Sequence, residues 1–270
     1  MAVMDLYFDS VSMARTVDLK AVLPNDLRDS KKEGNASYER SMKTLILLHG
    51  FSGHSGDWLY KSLIQRMAVK YNIAVFMPSG ENYFYLDAPG RAYGTYIGEE
   101  LPTYLRKTFH LSDQAEDTYI GGLSMGGFGA IHTGYAYPET FGGIFAFSSA
   151  MIIHEAAKMK EGEATAFADY EYYRSVFGDL DLVEESSKNP ETLVTGLNAA
   201  GKILPRLYMA CGTEDFLLEN NRKFHRFLLE NKVNNHIYVE DAGAHDWDFW
   251  TAHLEQALVW LLEIHESPDK

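Results

Sequence analysis

The stretch Thr118-Tyr119-Ile120-Gly121-Gly122-Leu123-Ser124-Met125-Gly126-Gly127-Phe128-Gly129-Ala130 decides how this chain is read. A β-branched and aromatic run leads directly into Gly-x-Ser-x-Gly, and small and apolar residues at helical spacing follow. That is the order of strand, tight turn and helix that presents a nucleophilic serine at the tip of a sheet. The backbone supplies the reason. A Cβ at Gly122 or Gly126 would collide with the neighbouring strand or helix, so the turn needs glycine on both sides of the serine. The turn lifts the Ser124 hydroxyl clear of the sheet and leaves the Met125 amide at a helix N-terminus, where it can face a developing oxyanion. The pentapeptide alone recurs by chance; its strand and helix context carries the inference.

The rest of the chain alternates in the same way from about residue 44. Lys43–Leu48 reads as a continuous apolar strand, and further strands are predicted at Ile73–Met77 and Thr118–Leu123, with Phe141–Ser148, Pro205–Ala210 and His236–Glu240 completing the buried strands. Helical spacing covers Asp57–Tyr71, Gly94–Phe109, Leu217–Asn231 and Asp246–His265. Such alternation predicts an α/β fold with a mainly parallel sheet covered by helices on both faces. Met4–Met13 and Thr16–Leu23 are two strand-like runs close together, which predicts an antiparallel pair at one edge. Residues 150 to about 200 break the rhythm with charged helical and aromatic segments and no convincing strand. They are predicted to be a cap insertion within one domain spanning residues 1–270. The polar residues Glu266–Lys270 are expected to fray.

Composition narrows the function. With 270 residues, 46% apolar and 13% aromatic, the chain can bury a large core. Lys and Arg number 24 against 38 Asp and Glu, and the net charge of −14 repels phosphate backbones and anionic headgroups, so neither nucleic acid nor a membrane is an expected partner. No apolar run approaches the ~20 residues of a membrane span, and Met1–Leu6 have neither a basic nor a long apolar region, so a cytoplasmic protein is expected. Cys211 is the only cysteine, which excludes an internal disulfide and fits a reducing compartment. It reads as a small buried hydrophobe.

A serine hydroxyl attacks only when a base removes its proton, and the base needs a carboxylate to fix its tautomer. In folds of this kind the order is serine, acid, histidine. Among ten histidines, His49, His54 and His110 precede Ser124, while His132, His225, His253 and His265 fall in predicted helices. His154 lies in the insertion and His236 starts a strand. His245 stands in Asp241-Ala242-Gly243-Ala244-His245-Asp246-Trp247, a small-residue loop after the last strand, and is the candidate base. The acid should follow the preceding strand, where Cys211-Gly212-Thr213-Glu214-Asp215 offers two carboxylates. Asp215 is favoured over Glu214 because the shorter side chain is held more rigidly, and it can also cap the next helix.

His49-Gly50-Phe51-Ser52-Gly53, Gly122-Leu123-Ser124-Met125-Gly126-Gly127, Cys211-Gly212-Thr213-Glu214-Asp215 and Gly243-Ala244-His245-Asp246-Trp247 together resemble the esterase D family of α/β-hydrolases. The likeness runs from about residue 40 to 260. It points first to bacterial tributyrin esterases, with S-formylglutathione hydrolases, feruloyl and acetylxylan esterases and mycolyltransferases as relatives. The resemblance implies Ser124 as nucleophile, Asp215 as acid and His245 as base. It also implies an oxyanion hole from the amides of Met125 and Phe51, with Ser52 as the alternative because the loop register is open. No cofactor or metal is implied. The expected substrate is a small ester with a short acyl chain, acetyl to butyryl. A thioesterase, a deacylase for cell-wall esters, an acyltransferase and a non-catalytic binding protein are the alternatives. His54 and Trp247 are close enough in sequence to the oxyanion loop and to His245 to line a pocket, although Trp247 and Trp58 also suit core packing. The tyrosine-rich loop Tyr83–Tyr96 falls on the same side of the sheet and would shape the alcohol site. Homo-oligomerisation is left open.

Overall fold

A computed structural model describes residues 1–264. The expectations for His265 and for Glu266–Lys270 lie outside the described residues.

Eight strands form one sheet: β1 (Ala2–Ser10), β2 (Arg15–Leu23), β3 (Lys43–Leu48), β4 (Ile73–Pro78), β7 (Thr118–Leu123), β8 (Gly143–Phe147), β9 (Arg206–Gly212) and β10 (His236–Asp241). The two-residue strands β5 (Asp87–Ala88) and β6 (Arg91–Ala92) make a separate hairpin. The sheet order is β1-β2-β4-β3-β7-β8-β9-β10. β1 pairs antiparallel with β2, and β2 with β4, and every later pairing is parallel. The predicted architecture is therefore the one observed, including the antiparallel edge.

The central strands are continuous apolar runs because both faces are covered. Leu45, Leu47, Val75, Met77, Phe145 and Phe147 face one layer, where Trp58, Met67, Trp250 and Leu258 pack. Their neighbours Ile46, Leu48, Phe76, Ile120, Ile144 and Met209 face the other, against Phe128, Ile131, Leu101 and Phe224. The period of two sorts each strand between two cores.

Two helices differ from the sequence reading. The span Asp57–Tyr71 divides into Asp57–Lys61 and Ile64–Tyr71. Ser62 ends the first by donating its hydroxyl to the Trp58 carbonyl (2.5 Å) and starts the second by accepting the Ile64 N–H (3.2 Å). Gly94–Phe109 is helical throughout, but Tyr96–Glu100 is a π segment ahead of the helix Leu101–Phe109. Pro102 has no amide to reach Gly98, which is where a regular ladder would close. The Glu100 carboxylate leaves this segment to accept the Ser10 hydroxyl and the Val11 and Ser12 amides, fixing the turn between β1 and β2.

Residues 150–200 contain the helices Ile153–Ala156, Tyr170–Phe177 and Pro190–Ala199 and a 3-10 segment at Leu180–Glu185. They enter the chain between β8 and β9 and bring Ile152, Met159, Phe167 and Tyr173 against the same cavity as Ser124. The acidic and tyrosine-rich character of this segment predicts a partly polar cap. The face it turns to the cavity is mainly apolar, with Ile152, Met159, Phe167 and Tyr173 on it and Glu155 as its one charged residue.

Candidate active site

The parallel strands β3, β7, β9 and β10 end on the same side of the sheet, and the loop after each one supplies one part of the site. Ser124 follows β7 and precedes the helix Met125–Ala136. Its φ of 55° and ψ of −120° are strained for a residue with a side chain, at a cost of about 1–3 kcal/mol. The surroundings hold it there: Ser124 N–H donates to Phe147 O (2.9 Å), and its carbonyl accepts from Phe128 and Ala150. A Cβ at Gly122 would stand 2.1 Å from the Gly126 carbonyl oxygen, and one at Gly126 would stand 2.3 Å from Leu48 O. Both glycines are required by close approach.

His245 Nε2 lies 3.0 Å from Ser124 Oγ, and His245 Nδ1 lies 2.9 Å from Asp215 Oδ2. Asp215 is buried, whereas Glu214 is exposed. Burial pushes the Asp215 carboxyl up, but hydrogen bonds from His245, the Ser148 hydroxyl and the Leu217 amide outweigh it, so its pKa falls below the usual carboxylate value. An ionised Asp215 only accepts, which places the imidazole proton on Nδ1 and aims the Nε2 lone pair at the serine hydroxyl. Ser148 in turn accepts Trp250 Nε1–H (2.9 Å), and the Trp250 ring meets the His245 imidazole edge-on at 5.0 Å.

The loop after β3 distinguishes its two candidate amides. Ser52 N–H donates to Asn82 Oδ1 (2.7 Å). Among the described residues no acceptor takes the Phe51 N–H or that of Met125, the first residue of its helix. His49 braces the loop from below: Nδ1 bonds Gly50 O (2.8 Å), and Nε2 accepts Gly80 N–H (2.9 Å). Burial lowers its pKa and keeps it neutral for that double role. From the insertion, Tyr172 donates its hydroxyl to the Asn82 carbonyl and sets its ring edge-on to Phe51 at 5.8 Å.

Above Ser124 opens a cavity of about 320 Å³. Phe51, Phe84, Met125, Ile152, Met159 and Phe216 give it an apolar wall; Glu155, Thr165, Asn220 and the tyrosines Tyr172 and Tyr173 are its polar members besides Ser124, and no Lys, Arg or His lines it. Two predicted pocket residues are elsewhere. His54 is exposed, 3.5 Å from Asp57 and accepting the Gly56 N–H, because a tight turn folds it back onto its own helix start. Trp247 begins the last helix, where the Asp246 cap turns it away from the cavity and onto Trp58 and Trp250, each at 5.3 Å. Conversely, Asn82, Ser148, Tyr172 and Phe216 were not singled out from sequence. Asn82 stands one residue before the tyrosine-rich loop, and Phe216 one residue after Asp215; adjacency was their only signal.

Among the described residues no helix is long and apolar enough to cross a membrane. The Esterase family model, described as “Putative esterase”, matches residues 10–261. An acetyl esterase of Caldicellulosiruptor saccharolyticus is 41% identical over 268 residues, covering 98% of this chain and 100% of that protein. Among solved structures, the substrate-bound fluorophosphonate-binding serine hydrolase FphF of Staphylococcus aureus matches with a TM-score of 0.82 at 26% identity, over 97% of this chain and 98% of that one. The S-formylglutathione hydrolase FrmB of the same organism gives 0.80 at 25%, with the same coverage.

Proposed function

The chain belongs to the Esterase family and is a serine carboxylesterase with the α/β-hydrolase fold, and from that premise we propose that it hydrolyses short-chain acyl esters through an acyl-enzyme on Ser124. In this reading His245 takes the Ser124 proton as the oxygen attacks the ester carbonyl, and Asp215 holds the Nδ1 tautomer and stabilises the imidazolium. The Phe51 and Met125 amides receive the oxyanion, each contributing on the order of 3 kcal/mol to the transition state. The alcohol leaves with the proton from His245 Nε2, and water repeats the sequence on the acyl-enzyme. Residues 150–200 act as the cap of a single domain. The buried Cys211, whose thiol burial pushes up to about 12, suits a reducing compartment and a cytoplasmic location.

The observation that carries this reading is the continuous contact Asp215–His245–Ser124, opening on an apolar cavity that contains no cation. A wall with one carboxylate and no Lys or Arg is a poor seat for the charged ends of a glutathione thioester, so the carboxylic ester is favoured over S-formylglutathione. The acetyl esterase relative agrees with a short acyl group, as does the sequence likeness to tributyrin esterases. At about 320 Å³ the cavity is at the small end for a ligand site and must hold both halves of the ester. The first few methylenes gain about 0.8 kcal/mol each and later ones clash.

Ser124→Ala is expected to lower p-nitrophenyl acetate hydrolysis by about 10³-fold or more and to abolish labelling by a fluorophosphonate, with the fold intact. Across acyl lengths, kcat/KM is expected to peak from acetyl to butyryl and fall by octanoyl. Retained turnover in the variant overturns the nucleophile, and a preference rising through decanoyl overturns the short-chain reading.

A further inference from the structure

Two phenylalanines at the cavity mouth are left uncovered. Phe167, from the cap, and Phe216, next to Asp215, are 59% and 58% exposed, yet both line the same cavity as Ser124. Their rings stack on one another with centroids 5.6 Å apart and planes at 24°. Phe216 also lies against the imidazole of His245, at 4.5 Å. Neither ring hangs on a loose segment. Thr165 Oγ1 accepts the Phe167 and Ala168 amides, and Asp215 Oδ1 accepts the Leu217 amide, so the backbone on each side is tied down. Single exposed apolar residues are ordinary; a fixed pair of aromatic faces on the rim of a catalytic cavity marks a contact surface.

The chemistry of the proposed reaction says which half of the ester meets it, and the inference rests on that reading. In the acylation step the bond between the acyl carbon and the alcohol oxygen breaks, and that oxygen takes the proton from His245 Nε2. It must therefore lie within hydrogen-bond reach of Nε2, with its substituent passing over the edge of the imidazole. The buried Trp250 and the exposed Phe216 both lie against the imidazole, and of the two only Phe216, continued by Phe167, lines the cavity.

We propose that Phe167 and Phe216 form the alcohol subsite, selecting esters of arylalkyl alcohols over those of small aliphatic ones. A flat ring laid on the pair gains aromatic contact that ethanol cannot make.

The test compares 2-phenylethyl acetate with ethyl acetate in wild type, Phe216→Ala, Phe216→Leu and Phe167→Ala, alongside a series of ethyl esters from acetyl to hexanoyl. Wild type should prefer the arylalkyl ester by about tenfold in kcat/KM, the size of one good aromatic contact. Each alanine variant should lose most of that ratio, chiefly through KM, and Phe216→Leu should lose part of it. Product inhibition by 2-phenylethanol should weaken by a similar factor, while the acyl-length optimum stays where it was. An unchanged alcohol ratio overturns the subsite, and so does a shift of the acyl optimum in its place, which would put the pair on the acyl side. Absence of hydrolysis of every ester by the wild-type protein overturns the esterase reading itself, and this inference with it; the outcomes are distinct.

Discussion

Asn82 decides which amide of the oxyanion loop is free. Its side-chain oxygen takes the Ser52 N–H and leaves the Phe51 N–H without an acceptor among the described residues, while its own carbonyl is tied to Tyr172. In Asn82→Ala the loop loses that register, and a donor worth about 3 kcal/mol is blurred without being deleted, so kcat should fall about tenfold to a hundredfold with little change in KM. Affinity for a boronic acid that mimics the tetrahedral adduct should fall in parallel, and Asn82→Asp, which keeps an acceptor, should recover part of both. A rise in KM alone would contradict this role. The contrast with Ser124, Asp215 and His245 shows what single residues disclose in a sequence. Those three sit in motifs whose local spacing reflects their chemistry, and the exposed position of Glu214 leaves Asp215 as the one that meets His245. Asn82 meets Ser52 across 30 residues with no motif of its own. His54 and Trp247 are near the site in sequence, but the direction of a side chain at a helix start depends on the cap, which proximity does not encode.

At the scale of elements, the central strands were legible because a strand covered on both faces is a plain apolar run, whereas β10, expected to be buried, is an edge strand with no fully buried residue. The helix divided at Ser62 was not, since one serine hydroxyl makes the break. The insertion was visible as charged helical and aromatic segments with no strand between them. Within it, His154 ties the helix Ile153–Ala156 to the later segments through Glu184 (2.5 Å) and Glu191 (3.1 Å). Partial burial pulls its pKa down, but the two carboxylates outweigh it, and the net shift is upward. A raised pKa in the folded state means a stabilisation fully present below the ordinary value near 6.5 and lost as pH rises through the folded value. His154→Gln should therefore lower the denaturation midpoint more at pH 6 than at pH 9. The difference is small, because an exposed ion pair is worth about 0–1 kcal/mol. A gap independent of pH would remove the ion pairs from the account of how the segments of the cap are held to one another.

For the whole molecule the buried histidines act in the opposite sense. His49, His132 and His253 are all lowered by burial, His132 to about 4. As pH falls below about 6.5 the unfolded chain takes up protons that the folded one refuses, so stability is complete above that value and declines toward pH 4. His132 alone accounts for up to about 3 kcal/mol of the decline. Denaturant midpoints should drop between pH 7 and pH 5, less steeply in His132→Gln; an equal slope in the variant would assign the acid sensitivity to other groups. The contact between Ser124 and His245 has a different consequence. It joins positions 121 residues apart, and Trp250, which holds Ser148 and flanks His245, comes later still. Translation thus delivers the hydroxyl long before its activator, and a nascent chain carries an inert alcohol until the helix Trp247–Leu261 docks. Turnover in this reading reports that the chain has been made and folded at least through Trp250, and a chain clipped ahead of His245 is chemically silent toward esters.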